Sequence, residues 1–224
     1  VTADRDVEPR RKRADAVRNR QRILTAAEQL LAERGMEITL DAVAGAAGIG
    51  VGTVYRQFSN KRELINELFE GYLRQIIDSA QAATRDPDPW RGLTRFLEAT
   101  CEIIAGNRGF ATAMSELQND AGLFEIHRGE LMLPIAVLLD RAKKAGVVVQ
   151  GMEPVDVLAI IGMIHFVAAI TEPVDPENWR RYLAVQLNGF RTDAAPELPL
   201  RPAALSSDQL NRARSAAAAR RKQP

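Results

Sequence analysis

The stretch Thr39–Phe58, TLDAVAGAAGIGVGTVYRQF, constrains this chain more than any other. Leu40, Val43, Ala44 and Ala47 recur at helical spacing and stop at Gly48-Ile49-Gly50. Thr39 stands just ahead of them, where its hydroxyl can accept a bond from a free first-turn N–H. Gly48 supplies a left-handed backbone that a branched residue resists. A second short helix follows from about Val51 to Gln57, with Val54 and Phe58 turned inward and Thr53, Tyr55 and Arg56 left outside. Two short helices joined by a tight glycine turn make the pattern of a helix-turn-helix, whose second helix can lie in the major groove of DNA.

The surrounding sequence supplies the scaffold. A first helix is predicted from about Ala14 to Arg34, with Ile23, Ala27, Leu30 and Leu31 on one face and Gly35 as its stop. Asn60 and Glu63 form a capping-box-like pair at the start of a long fourth helix. The apolar pairs Leu64/Ile65, Leu68/Phe69, Tyr72/Leu73 and Ile76/Ile77 make its stripe wide enough to pack on more than one side. Asp86-Pro87-Asp88-Pro89 breaks the chain. Further helices are predicted over about 89–105, 110–119, 123–145, 155–170 and 176–191, with a kink or restart at Pro134. No strand-like alternation persists anywhere, so the fold class is all-α. The expected division is a basic arm over 1–15, a DNA-binding domain over 16–76, a C-terminal domain over 77–192 and a disordered tail over 193–224.

Composition excludes several alternatives. Net charge is +1, so affinity for a polyanion must come from local clustering. One cysteine, Cys101, excludes an internal disulfide and fits a reducing cytosol. The Arg-rich N-terminus has no apolar core behind it and does not read as a secretory signal. The apolar run Val155–Ile170, interrupted by Asp156, Gly162 and His165, is better explained as a buried helix than as a membrane span. Two histidines and one cysteine at wide spacing make no metal site. Neither a nucleophile elbow, a phosphate loop nor a His-based dyad is present, and GIGVG lacks the preceding strand a phosphate loop needs. No enzyme and no cofactor is expected.

Recognition of DNA needs cations and hydroxyls at phosphates and side chains that reach base edges. Thr39 and the start of its helix can meet a phosphate. Val51, Gly52 and Thr53 are small enough for close approach, and the methyls of Val51 and Thr53 suit a thymine methyl. Tyr55 either gives its hydroxyl to a phosphate or fills the interface with the first helix. Arg56 can reach a phosphate or a guanine edge, and Lys61 is placed for backbone charge. Arg10 to Arg13, Arg18 and Arg22 can touch flanking duplex. Read singly, Arg56 and Lys61 are ordinary solvated residues, and it is their grouping that points to DNA.

Residues 17 to 73 resemble the tetracycline-repressor (TetR) family of bacterial transcriptional regulators, through ILTAAEQLLAERG, TLDAVAGAAGIGVGTVYRQFSNKRELI and above all GTVYRQFSNKREL. The resemblance implies a homodimer of all-α subunits, and a cytoplasmic location is expected. In each, an N-terminal three-helix DNA-binding domain is joined by a long fourth helix to a C-terminal bundle for ligand binding and dimerisation. It implies DNA contacts at Thr39, Thr53, Tyr55 and Lys61. Gly50 departs from the family, which often has a capping serine there. RAKKAGVV, PVDVLAIIG and WRRYLAVQLNGFR resemble the C-terminal layout of one branch. They imply that the last two helices build a four-helix dimer interface, with Leu158, Ile161, Trp179, Leu183 and Phe190 as its expected side chains.

The expected function is a repressor released from a palindromic operator by a small-molecule effector, with no membrane partner. The alternative is a helical small-molecule-binding or interaction protein with no specific operator. Phe96, Thr100, Met114, Met132, Met163, His165 and Phe166 are pocket-lining candidates on amphipathic spacing alone, where each can equally be plain core.

Overall fold

The computed structural model describes residues 7–106 and 121–220. Among the described residues it is helical, with one isolated antiparallel bridge between Val148 and Arg191. The helices are α1 (Val7–Arg34), α2 (Leu40–Ala47), α3 (Val51–Gln57), α4 (Lys61–Ala83), α5 (Pro89–Gly106), α6 (Ala121–Lys144), α7 (Pro154–Thr171), α8 (Trp179–Phe190) and α9 (Ser207–Arg220). They fall into two compact units. Of the described residues, the first holds those through Tyr72 together with 121–123, and the second holds Leu73–Gly106 and those from Phe124 on. The division therefore falls inside α4. The helix expected over 110–119 lies outside the described residues.

In the first unit, Ile23, Ala27, Leu30 and Leu31 of α1 are buried, as their spacing predicts. α1 packs on α2, where Leu40, Val43, Ala44 and Ala47 are buried, and α2 packs on α3, whose Val54 and the following Phe58 are fully enclosed. α1 begins at Val7, so the segment expected as a flexible arm to residue 15 is helical from there. Its arginines are compatible with helix once they continue an established run of turns.

In the second unit, α5 buries Trp90, Leu93, Phe96, Leu97, Thr100, Cys101 and Ile104. Trp90 meets Phe190 of α8 edge to face, with ring centroids 6.3 Å apart. The end of α4 and the start of α5 are clasped around Asp86. Its carboxylate accepts from Arg91 Nη2 at 2.7 Å and from the Asp88 amide at 2.9 Å. Arg141 of α6 donates to the Thr84 and Asp86 carbonyls. α6 runs through Pro134 as one helix, without the predicted restart. Proline forfeits a single backbone bond, and Leu131, Ile135, Leu138 and Leu139 anchor the helix on both sides.

α7 opens with a reciprocal cap: Glu153 N donates to Asp156 Oδ2 at 2.8 Å, and the Glu153 side chain accepts from the Asp156 backbone. It is long and apolar enough to cross a membrane by length and composition, yet only 33% of it is buried. The expectation of a buried helix is thus only partly met. Val157, Ile160, Ile161, Ile164 and Ala168 face the unit's interior. Val155, Met163 and Phe166 remain 59%, 46% and 57% exposed.

α8 starts at Trp179 rather than near Pro176, because Asp175 holds a turn there, accepting from the Glu177 amide at 3.1 Å. The tail was expected to be disordered, on its Pro, Ala and Arg content. Instead, Asn188 of α8 grips it: Oδ1 accepts from Leu198 N and Nδ2 donates to Leu198 O, each at 2.9 Å. Arg181 Nη1 donates to Leu200 O at 2.9 Å. Ser206 and Gln209 then cap α9, which packs on α7 with Ala213 fully buried. Composition hides this order because the holding groups belong to α8, not to the tail.

Candidate nucleic-acid interface

The α2–α3 corner is fixed at each end by identifiable bonds. Thr39 has extended backbone, and its Oγ1 accepts from the Ala42 amide at 3.1 Å. That satisfies one of the free first-turn donors of α2. Gly48 takes φ +62°, and its N–H turns back to Ala44 and Gly45 carbonyls. Ile49 N adds a bond to Ala44 O at 3.0 Å. The chain then enters α3 at Gly50, which caps with its carbonyl alone and lacks a side-chain oxygen. Val54 and Phe58 are buried and turn the opposite side of α3 outward.

That outward side carries the predicted residues. Val51 is 45% and Tyr55 50% exposed, and Gly52 and Arg56 are exposed beside them. Half of the Tyr55 side chain is exposed, which leaves part of it available to a ligand outside the unit. Thr53 is half-buried, and Arg56 lies folded along α3, its Nε donating to Gly52 O at 3.1 Å and its Nη2 to Thr53 Oγ1 at 3.0 Å. Thr39 is exposed at the start of α2. A Cβ at Gly50 or Gly52 would meet nothing within 4 Å, so the backbone there is open to an approaching ligand.

Two cations take structural partners that sequence spacing does not reveal. Lys61 Nζ donates to Met36 O at 2.7 Å, which fastens the α1–α2 loop to the start of α4. Arg22 Nη2 donates to Ala47 O at 2.6 Å and to Gly48 O at 3.3 Å. It therefore stabilises the carbonyl end of α2, where a positive charge is favoured, instead of standing free for flanking duplex. The Asn60–Glu63 cap is displaced by one residue: Glu63 N donates to Asn60 Oδ1 at 3.0 Å, but Glu63 Oε2 accepts from Ser59 N at 2.7 Å. An open groove beside Asn60, Glu63, Asn66, Glu67 and Glu70 is lined mainly by carboxylates and amides. Ser59 and Arg62 complete its lining, and Glu67 is paired with Arg20.

The second unit separates the other candidates. Phe96 and Thr100 are enclosed on α5, Met132 is half-buried on α6, and His165 is half-buried on α7. Met163 and Phe166 lie on the exposed face of α7 and line no interior space. Met114 lies outside the described residues. Thr100 Oγ1 and His165 Nδ1 are enclosed without a hydrogen-bond partner among the described residues. Burial holds His165 below its usual range, so its imidazole is neutral. Cys101 is buried, and desolvation pushes its thiol up to about 12, which suits inert packing. Of the expected interface residues, Ile161, Trp179, Leu183 and Phe190 are buried within their own unit, and Leu158 is half-buried. Their apolar character serves the subunit's core. For Leu158 and Ile161 on α7 the sequence gives no guide, because a helix apolar all round gives no sign of which side its own chain covers.

Comparison with known proteins agrees with this arrangement. Residues 23–68 match the family described as bacterial regulatory proteins, tetR family. Residues 88–192 match the C-terminal domain of SbtR-like transcriptional regulators. The chain is 31% identical over 99 residues to the probable acrEF/envCD operon repressor of Escherichia coli K12, covering 43% of this chain and 45% of that protein. It is 47% identical over 74 residues to an HTH-type transcriptional regulator of Staphylococcus aureus USA300, covering 30% and 40%. The matches thus span less than half the length of these curated relatives. A TetR transcription regulatory protein from Mycobacterium vanbaalenii superposes with a TM-score of 0.58 at 25% identity, over 80% of this chain and 99% of that one. SmeT in its triclosan complex gives a TM-score of 0.62 at 20% identity, over 84% and 99%, which bears on fold alone. With its capped α2, glycine corner and outward-facing α3 in place, the chain belongs to the TetR family of transcriptional regulators.

Proposed function

We propose that this chain is a cytoplasmic homodimeric repressor that binds a palindromic operator through α3 and is released by a small-molecule effector. One observation carries the reading. The side of α3 left uncovered by its own unit bears Val51, Gly52, Tyr55 and Arg56, next to the exposed Thr39 cap of α2. Small residues at the leading end let the backbone approach base edges, while the hydroxyls and cations serve phosphates. The DNA-contact set is Thr39, Val51, Gly52, Thr53, Tyr55, Arg56 and Lys61. The family domain spans 16–76 and the effector domain 77–192.

A second copy docks on the exposed face of α7. Val155, Ala159, Gly162 and Phe166 follow one another at spacings of four, three and four residues, which is the rhythm of a helix–helix seam. A two-fold axis sets that stripe against itself; reading two half-sites one duplex turn apart requires the two reading helices to stand roughly 34–36 Å apart.

The effector binds in the second unit, near α5 and α7. Thr100 Oγ1 and His165 Nδ1 support this, because enclosed polar atoms without partners are costly and a ligand can satisfy them. The triclosan complex of SmeT is one instance of a small molecule held by this fold. An effector lowers operator affinity only by binding one dimer geometry better than the other.

The test is selection of bound fragments from the host genome, followed by footprinting. A single protected inverted repeat is expected. Binding that depends on salt but prefers no sequence would instead indicate an interaction protein without an operator. Lys61 Nζ keeps further donors beyond the one given to Met36 O, and Lys61→Met should weaken binding to all sequences and reduce the salt slope by about one unit.

A further inference from the structure

Arg20, on α1, ties three helices of the first unit together. Its Nε donates to Glu67 Oε1 at 2.6 Å, and its Nη2 pairs with Glu67 Oε2, both on α4. Nη1 reaches Gln57 O, the last carbonyl of α3, at 3.5 Å. Its guanidinium carbon lies 4.6 Å from the centroid of the Phe58 ring, and Phe58 is the fully buried residue that closes α3. Only a guanidinium does all of this. Its planar fork matches a carboxylate edge-on while its face stacks on an aromatic ring.

α3 has 7 residues, so few internal bonds set its direction. Its tilt is decided by what grips its ends. The Gly48 corner, held by Arg22, grips the start. Phe58 and Gln57 O, held by Arg20, grip the finish. The Arg20 and Glu67 side chains are 41% and 27% exposed, so solvent screens the pair and leaves it modest worth for stability. Geometry is a different matter. Base-edge hydrogen bonds need placement within about 0.5 Å and 10–20°, whereas long phosphate-binding side chains tolerate more.

We propose that Arg20 is a positioning residue for operator recognition. It sets the tilt of α3 against the first turns of α4 through Gln57, Phe58 and Glu67, and touches no nucleotide. This rests on the DNA-binding reading above.

The experiment compares Arg20→Gln, Arg20→Lys, Glu67→Gln and the Arg20→Gln/Glu67→Gln double variant. Affinity is measured for the selected operator and for a random duplex of equal length, across a salt series, well below each variant's melting temperature. Each single variant should lose about tenfold on the operator, keep its random-duplex affinity within about twofold and keep the salt slope. The double variant should be no worse than the singles, because all break one node. The Phe58 amide, bonded to Val54 O at 2.9 Å, should exchange its hydrogen several-fold faster in each. Equal loss on both duplexes with a slope lower by about one unit, and rescue by lysine, would make Arg20 a phosphate contact and overturn the proposal. Unchanged operator affinity beside a lowered melting temperature would overturn it too. If the wild-type chain selects no operator, the DNA-binding reading falls. The Phe58 exchange rate then still decides whether Arg20 holds α3.

Discussion

Arg56 and Thr53 are bonded to each other along the exposed edge of α3, Nη2 of the arginine donating to Oγ1 of the threonine at 3.0 Å. The arginine is thereby laid over the leading half of the helix, where Gly52 leaves the backbone open. Pre-placement of this kind lowers the entropy lost when a long side chain meets a base. Arg56→Ala should cost about 1–3 kcal/mol of operator affinity and flatten the preference at one base pair. Thr53→Val keeps the shape but removes the acceptor, and should flatten that same position. Operators changed one pair at a time, titrated against each variant, check this. If the two variants affect different positions, the link between the residues has no functional meaning.

Gly50 sits at φ −59°, ψ 133°, conformations any L-residue adopts, and a Cβ there meets nothing within 4 Å. Serine would fit and add the missing cap oxygen for the Gly52 or Thr53 amide. Gly50→Ser should add roughly 0.5–1 kcal/mol by capping and by restricting the unfolded chain. That corresponds to a melting temperature about 1–4 °C higher. Gly48→Ala should do the reverse by about 1–2 kcal/mol. Its φ of +62° strains any Cβ, and Arg22 Nη2 already lies 3.1 Å from where that atom would be. Calorimetry on the pair gives shifts of opposite sign if the corner is as described.

Asp86 provides a pH signature. The hydrogen bond from Arg91, then that from the Asp88 amide, lowers its carboxyl from 3.8 to about 2. A depressed carboxyl contributes stability that is fully present above the unfolded value and is lost as pH falls through the folded one. Asp86→Asn should therefore melt below wild type at pH 5 to 7, with the gap narrowing from about pH 4 and closing near pH 2. A gap that stays constant down to pH 2 would show that the charge on Asp86 contributes nothing to the α4–α5 clasp.

What could be read from the sequence was what local chemistry dictates. The Thr39 cap, the left-handed Gly48, and the buried faces of α1 and α2 all follow from residue type and spacing within one or two turns. The outward side of α3 followed once Val54 and Phe58 were assigned inward. Long-range partners could not be read in this way. Arg20 with Glu67, Arg22 with Ala47, Lys61 with Met36 and Asn188 with Leu198 pair residues whose proximity only the fold creates. In sequence, those arginines and that lysine look like free surface charge. α7 misled for the opposite reason. Apolar on every side, it carries no pattern to say which residues its own unit buries, so Ile161 and Phe166 look alike until burial separates them.

That separation yields a direct test of assembly. Phe166 is 57% exposed on a face shared with Val155, Ala159 and Gly162. Apolar area of this kind gains about 25 cal/mol per Å² when a partner removes it from water. The small residues beside it let two helices approach closely, and no atom lies within 4 Å of a Cβ built at Gly162. In the proposed dimer a two-fold axis sets this stripe against its twin. Phe166→Glu places a carboxylate in the proposed apolar seam, and should weaken dimerisation by about 3 kcal/mol, near a hundredfold. Sedimentation at micromolar concentration should show the mass halved while the helical circular dichroism is kept, since the larger part of the side chain lies outside its own unit's core. Operator affinity should fall with it, because one subunit no longer tethers the other at the second half-site. Ile161→Glu, by contrast, buries a charge inside the subunit and should unfold the second unit. A Phe166→Glu protein that stays dimeric with unchanged operator affinity would place the two-fold contact on another surface.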